Sequence, residues 1–132
     1  MYIPDGFSQV VPYLFVDGAE SYIAFLITGL GGTEVGRTLD GDGRIANCQI
    51  RFATATIMVS EASTAYPASR AALYLYVEDA EATMRQAINA GASLEMTIAN
   101  MSYGDRQGGI KDPAGNIWWL SQRLTDQPYH QG

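Results

Sequence analysis

Apolar and polar positions follow two different rhythms along this chain, and the pair of rhythms occurs twice. Tyr13-Leu14-Phe15-Val16 is a short aromatic and β-branched run of the kind that forms strands, and it stops before Asp17 and Glu20. Ala19, Tyr22, Ile23, Leu26 and Leu30 then fall at helical spacing. Asp17 with Glu20 three residues on resembles a capping box in which Asp17 is the cap. Gly29, Gly31 and Gly32 bring the helix to an end. Three strands should follow. Asp40-Gly41-Asp42-Gly43 forms a hairpin turn before a strand over Ile45–Phe52, which leads into another over Thr56–Ser60. In the second cycle Ala72-Leu73-Tyr74-Leu75-Tyr76-Val77 is the strand run, Ala80, Met84, Ala87 and Ile88 mark the helix, and Gly91 stops it. Asp112-Pro113-Ala114-Gly115-Asn116 turns the chain into a last strand that begins Ile117-Trp118-Trp119-Leu120.

The two cycles are copies. Tyr13/Tyr74, Leu14/Leu75, Val16/Val77, Ala19/Ala80 and Glu20/Glu81 match at one offset, 61 (74 − 13). Without a gap the same offset reaches Glu34/Glu95, Ile57/Trp118, Val59/Leu120 and Ser60/Ser121. The predicted fold is α+β: two βαβββ modules, about 8–60 and 69–123, within one domain spanning 1–132. Their strands are expected to form a curved mixed sheet around a cleft, with the helices on the outer face. Residues 61–70 join the modules, and the polar tail from Asp126 is expected to be loose.

Strand residues alternate between faces. Leu14, Val16, Ile57, Val59, Leu75, Val77, Trp118 and Leu120 share the parity suited to the helices, and Cys48, Ile50 and Phe52 join them. The opposite face carries Tyr13, Phe15, Met58, Tyr74, Tyr76 and Trp119, with Asn47, Gln49 and Arg51 from the Ile45–Phe52 strand. An apolar, aromatic surface with a few polar groups suits a small-molecule site. Tyr and Trp are enriched at subunit interfaces too, so packing is the competing explanation. The candidate ligand-binding residues are Tyr13, Phe15, Asn47, Gln49, Met58, Tyr74, Tyr76 and Trp119.

The formal charge of −6 at pH 7 disfavours nucleic acid, which needs clustered Lys and Arg, and it suits a cationic guest. Acidity also keeps a small protein soluble. The single cysteine, Cys48, excludes an intramolecular disulfide and fits a reducing compartment. No apolar stretch is long enough to span a bilayer, and the first residues lack the basic-then-apolar pattern of a signal peptide. A cytoplasmic location is expected.

The paired βαβββ unit, with Pro12-Tyr13-Leu14 opening the first copy and Tyr103-Gly104-Asp105-Arg106 and Asp112-Pro113-Ala114-Gly115-Asn116 in the second, resembles the vicinal oxygen chelate superfamily. That superfamily includes glyoxalase I, extradiol dioxygenases and the fosfomycin- and bleomycin-resistance proteins, and the chain looks most like its small PhnB-like members. The resemblance runs from about Ser8 to Arg123 and implies fold more than chemistry. Enzymes of the superfamily hold a divalent metal through His or Glu on the first and last strands of each module. Those positions here are Val11, Met58, Ala72 and Trp119, and the His that PhnB-like proteins often carry on the third strand is Asn47. Divalent metals want carboxylates, imidazoles or thiolates. Neither a metal site in the usual place nor any other cofactor is expected.

Other reactive residues offer little. His130, the one histidine, lies in the polar tail. Cys48 has the apolar parity and no His partner, so a buried thiol is expected rather than a nucleophile. The Asp40–Gly43 run lacks the Glu that closes a calcium loop, having Arg51 at the twelfth position. Arg106 is expected to be structural, paired with an acidic neighbour such as Asp105 or Asp112. Arg51 belongs either to the cleft or to a dimer interface, and Glu34 and Glu95 to solvated edges. No catalytic residue is assigned. Three functions stay open: a metal-free protein that sequesters a drug or metabolite, planar or cationic, in an aromatic cleft; a metal-dependent lyase, isomerase or dioxygenase; and a protein-interaction module. A homodimer is expected, because the modules leave sheet edges to cover.

Overall fold

The computed structural model describes residues 2–130, and the chain divides into two compact modules after Arg70. The first contains β1 (Tyr13–Val16), α1 (Ala19–Leu30), β2 (Thr33–Leu39), β3 (Ile45–Phe52) and β4 (Ala55–Glu61). The second contains β5 (Ala72–Tyr76), α2 (Ala80–Asn89), β6 (Ser93–Asn100), β7 (Asp105–Lys111) and β8 (Ile117–Arg123). This is the α+β, twofold βαβββ architecture that the periodicity predicts. Each module builds its own four-stranded mixed sheet, in the orders β1-β4-β3-β2 and β5-β8-β7-β6. The first strand of each pairs in parallel with the last, and the other neighbours are antiparallel.

Each helix covers one face of its sheet. In the first module Leu14, Val16, Cys48, Ile50, Ile57 and Val59 are buried along with Tyr22, Ile23, Leu26 and Leu30 of α1. Fully burying a side chain of this size contributes about 1.5–3 kcal/mol. Burial of Cys48 raises its thiol pKa, which suits the inert thiol expected of it. In the second module Ile110, Trp118 and Leu120 are buried with Ala80, Met84 and Ala87 of α2. The Trp118 indole N–H donates to Asp112 Oδ2 at 2.8 Å, so this core aromatic leaves no donor stranded. Asp112 Oδ1 also accepts from the backbone of Ala114 and Asn116, at 2.9 Å each, which explains the Asp-Pro-Ala-Gly-Asn run as a self-bonded turn. Asp40 plays the same part in the first module, accepting from Asp42 and Arg44.

Several local expectations need correction. Asp17 does not cap α1: the N-cap is Gly18, which has no side chain to offer. Glu61 at the end of β4 supplies the carboxylate instead, accepting from the amides of Gly18 and Ala19 at 2.9 Å each. The repeat preserves this device, since Gln122 (122 − 61 = 61) accepts from Ala80 N at the start of α2, where Asp79 caps as well. Ile88 is not in the core; it is exposed on the outer side of α2, in a groove with Leu94 and Ile98. The repeat also contains a compensated shift. The first and last strands of each module keep the offset of 61, as in Ile117 and Thr56 (117 − 56), but their neighbours β3 and β7 differ by 60, as in Lys111 and Arg51 (111 − 51). Glu34 therefore corresponds to Leu94 rather than Glu95. Glu34 does lie on an edge strand, β2, where it pairs with Arg37, which reaches Glu20 too.

Candidate functional site

The face of each sheet turned away from its helix carries the candidate residues, and each module presents its own set. In the first, Tyr13 pairs with Met58 across β1 and β4, and Phe15 with Ser60. The Tyr13 and Phe15 rings stack at 4.8 Å, and Tyr66 stacks on the other side of Phe15 at 5.6 Å. Asn47 Nδ2 donates to the Tyr13 hydroxyl and Gln49 Nε2 to Asn47 Oδ1, both at 3.3 Å, so the two amides are tied to the aromatic row. The rings and Ile45 line a hollow of about 340 Å³, and Gln49, Met58 and Val11 line another of about 470 Å³ beneath Tyr2, Ile3 and Phe7. Tyr66 and the N-terminal segment lie outside the strands, so strand parity gave no way to find them. Arg51 belongs to this region: its Nε donates to Thr56 Oγ1 at 3.2 Å, and Thr56 in turn donates to the Gly6 carbonyl at 2.6 Å.

The second module is aromatic in a different way. Tyr74 pairs with Trp119 and Tyr76 with Ser121 across β5 and β8. The Trp119 indole is half-buried and lies across Gly109, where a Cβ would come within 2.5 Å of the ring, so only glycine leaves room for it. Beside it lies a polar cluster that sequence reading missed. Asp105 is fully buried. Its Oδ2 accepts from Tyr74 at 2.7 Å, Ser121 at 2.8 Å and Tyr129 at 2.7 Å, and its Oδ1 accepts from Arg123 at 2.8 Å. Burial alone would raise the carboxyl's pKa; the hydrogen bonds from Tyr129, Tyr74, Arg123 and Ser121 outweigh it and hold Asp105 ionised well below the usual carboxylate range.

Two expectations need adjustment here. Arg106 does pair with an acidic side chain, but this is Glu81 rather than Asp105 or Asp112, and it also bonds Asn100 at 3.0 Å. The tail from Asp126 is not loose throughout: Tyr129 reaches Asp105, its hydroxyl lies 2.6 Å from that of Tyr76, and Arg123 sits 4.0 Å from its ring centre. The signal for Asp105 was its place in the Tyr-Gly-Asp-Arg run at the start of β7, facing the tyrosines by parity. Its partners on β8 and in the tail are long-range and were not readable.

A model of the Glyoxalase/Bleomycin resistance protein/Dioxygenase superfamily matches residues 6–120. The chain belongs to that superfamily. An uncharacterized protein of Mycobacterium tuberculosis is 30% identical over 126 residues, covering 87% of this chain and 74% of that one. Among solved structures, TioX from Micromonospora sp. ML1 has a TM-score of 0.75 at 20% identity, covering 89% of this chain and 99% of that one. TnmS3, an antibiotic binding protein from Streptomyces sp. CB03234, has a TM-score of 0.71 at 23% identity, covering 93% and 98%. At these identities the structural likeness bears on fold.

The superfamily's metal does not fit the residues present. Val11 and Met58 in the first module and Ala72 and Trp119 in the second offer one thioether and no hard donor. Among the described residues no three of His, Cys, Asp and Glu gather as a ligand set. Asp105 stands alone among hydroxyls and a guanidinium. No helix of the described residues is long and apolar enough to cross a membrane.

Proposed function

We propose that this chain is a metal-free small-molecule binding protein that sequesters a planar drug or metabolite against its aromatic sheet faces. The observation that carries the reading is Trp119. At a position where relatives with catalytic metals have a ligand, this chain has an indole, spread over Gly109 and half open to solvent, with Tyr74 beside it in the sheet. The face of the second module would offer a guest Trp119, Tyr74 and Tyr76 to stack on. The face of the first would offer Tyr13, Phe15 and Met58, with Asn47 and Gln49 to orient a guest by hydrogen bonds. Each aromatic pair contributes about 0.5–1.5 kcal/mol beyond area burial, and the acidic chain favours a neutral or cationic guest. That TnmS3 is an antibiotic binding protein supports this class of function. We further read the protein as a cytoplasmic homodimer, with no nucleic acid or membrane partner.

A thermal-shift screen of planar aromatic and glycopeptide-like compounds tests the reading. A ligand at a hundredfold excess over its Kd stabilises the fold by about 2.7 kcal/mol, which raises Tm by roughly 5–10 °C for a chain of this size. Trp119→Ala should abolish most of the shift. A broad library that moves neither protein would favour the interaction-module reading, which the exposed Tyr13, Tyr74 and Tyr76 also suit.

A further inference from the structure

Tyr129 is bound where it lies as a ligand would be. Its phenol oxygen contacts a buried carboxylate, Asp105, at 2.7 Å, and a second hydroxyl, Tyr76, at 2.6 Å. The single Tyr129 proton goes to the carboxylate, so Tyr76 donates to the Tyr129 oxygen. The Arg123 guanidinium covers the ring face at 4.0 Å, and the Tyr103 ring stands 6.3 Å away at a tilt of 57°. The place thus reads three properties of its occupant: a hydroxyl that donates, an oxygen that accepts, and a flat ring that a cation can cover.

The occupant is also replaceable. A carboxylate oxygen offers about two lone-pair sites, yet Asp105 Oδ2 takes three hydroxyls, from Tyr74, Ser121 and Tyr129. Tyr74 and Ser121 lie within the sheet, and their oxygens are 3.1 Å apart. Tyr129 is the one that arrives from the end of the chain, and its residue is 44% exposed. Were it to leave, Arg123, Tyr74 and Ser121 would still satisfy the carboxylate, so the exchange strands no buried charge. A second tie, from Arg123 Nη2 to the Gln127 carbonyl at 2.6 Å, is solvent-exposed and correspondingly weak.

We infer that the slot between Asp105, Tyr76 and Arg123 is a binding subsite for neutral hydroxyaromatic groups, and that Tyr129 fills it as a tethered competitor. This deepens the small-molecule reading and rests on it: the guest stacked on Trp119 and Tyr74 would carry a phenolic hydroxyl that displaces Tyr129. A tethered ring competes at a high effective concentration, so a free phenol binds the intact protein weakly until Tyr129 is weakened.

The test uses the full-length chain and p-cresol, followed by NMR titration, with 4-methylanisole as the control that keeps the ring but cannot donate. Affinity for p-cresol should rise from wild type to Tyr129→Phe, which keeps the ring and loses the hydroxyl, and again to Tyr129→Ala. In Tyr129→Ala p-cresol should beat 4-methylanisole by about tenfold or more, the worth of a hydrogen bond to a charged acceptor. Equal p-cresol affinity in wild type and Tyr129→Phe would overturn the inference even if Tyr129→Ala does not fold, and so would equal binding of the two probes. Screen hits that need Trp119 but are indifferent to Tyr129→Phe would overturn it while leaving the small-molecule reading standing. A p-cresol site opened by these substitutions, in a protein for which the wider screen is blank, would uphold the slot and overturn that reading.

Discussion

Where the first module has Ile45 lining a hollow with Tyr13 and Phe15, the second has Asp105 bonded to Tyr74. The shifted register makes the two positions equivalent (105 − 45 = 60), and both are buried. One duplicated frame therefore holds its aromatic face in two ways. In the first module rings stack in a row, Tyr13 on Phe15 on Tyr66, above an apolar side chain. In the second the tyrosines tilt, with Tyr74 and Tyr76 at 52°, and Tyr74 aims its hydroxyl at a carboxylate while Tyr76 bonds the hydroxyl of Tyr129. Backbone geometry sets where the faces are; one side chain per module sets whether the face is greasy or polar. The fold can thus keep its frame while the chemical character of its open face changes.

Removing those two side chains should separate the modules most sharply. Asp105→Ala leaves Arg123 and three hydroxyls without their acceptor and should cost about 3–5 kcal/mol at neutral pH; Ile45→Ala should cost about 2–3 kcal/mol through lost burial. Acid tells them apart. The folded-state pKa of Asp105 lies below its unfolded value. Its stabilisation is therefore fully present above about pH 4 and is lost as pH falls toward the folded-state value. Urea unfolding should show the gap between wild type and Asp105→Asn closing below pH 4 while the Ile45→Ala gap stays constant. A pH-independent Asp105 gap would mean the carboxylate is not held as described.

The helix starts give a smaller contrast. Glu61 is the side chain that caps α1, with two charge-assisted bonds, whereas Gln122 shares α2 with Asp79. Glu61→Ala should cost about 1–2 kcal/mol and Gln122→Ala about 0.5 kcal/mol in chemical denaturation; equal costs would deny the asymmetry. Smallest are the last hairpin turns. The first module places Ala53 at φ 50°, a left-handed conformation that L side chains resist, while the second uses Gly115 at φ 90°. Ala53→Gly should gain about 0.5–1 kcal/mol and Gly115→Ala should lose at least that much, both read as shifts in Tm.

Much of this was legible in the residues. The periods of two and near four, the glycine stops and the offset of 61 specify two βαβββ units, because such signals are local or repeat along the chain. Parity alone put Tyr13, Phe15, Asn47, Gln49 and Met58 on one face and Tyr74, Tyr76 and Trp119 on the corresponding face of the other sheet. What escaped depends on long-range pairing. A Glu at the end of β4 capping α1 cannot be distinguished from a local Asp17 cap by spacing. Arg106, next to Asp105 in sequence, is the partner that spacing suggests; Arg123 comes opposite Asp105 only once β7 and β8 are in register. The polar composition of residues 126–130 concealed that one tyrosine among them has a buried carboxylate to reach.

The central claim is that Trp119 meets the guest, and its own fluorescence tests this most directly. The two tryptophans are adjacent in sequence but opposite in surroundings, Trp118 buried under α2 and Trp119 half open on the far face. Titrating a screen hit into wild type, Trp118→Phe and Trp119→Phe should quench or shift the emission of the first two and leave the third unchanged, with binding weakened about tenfold by loss of the indole. An equal response and equal affinity in Trp119→Phe would contradict the account.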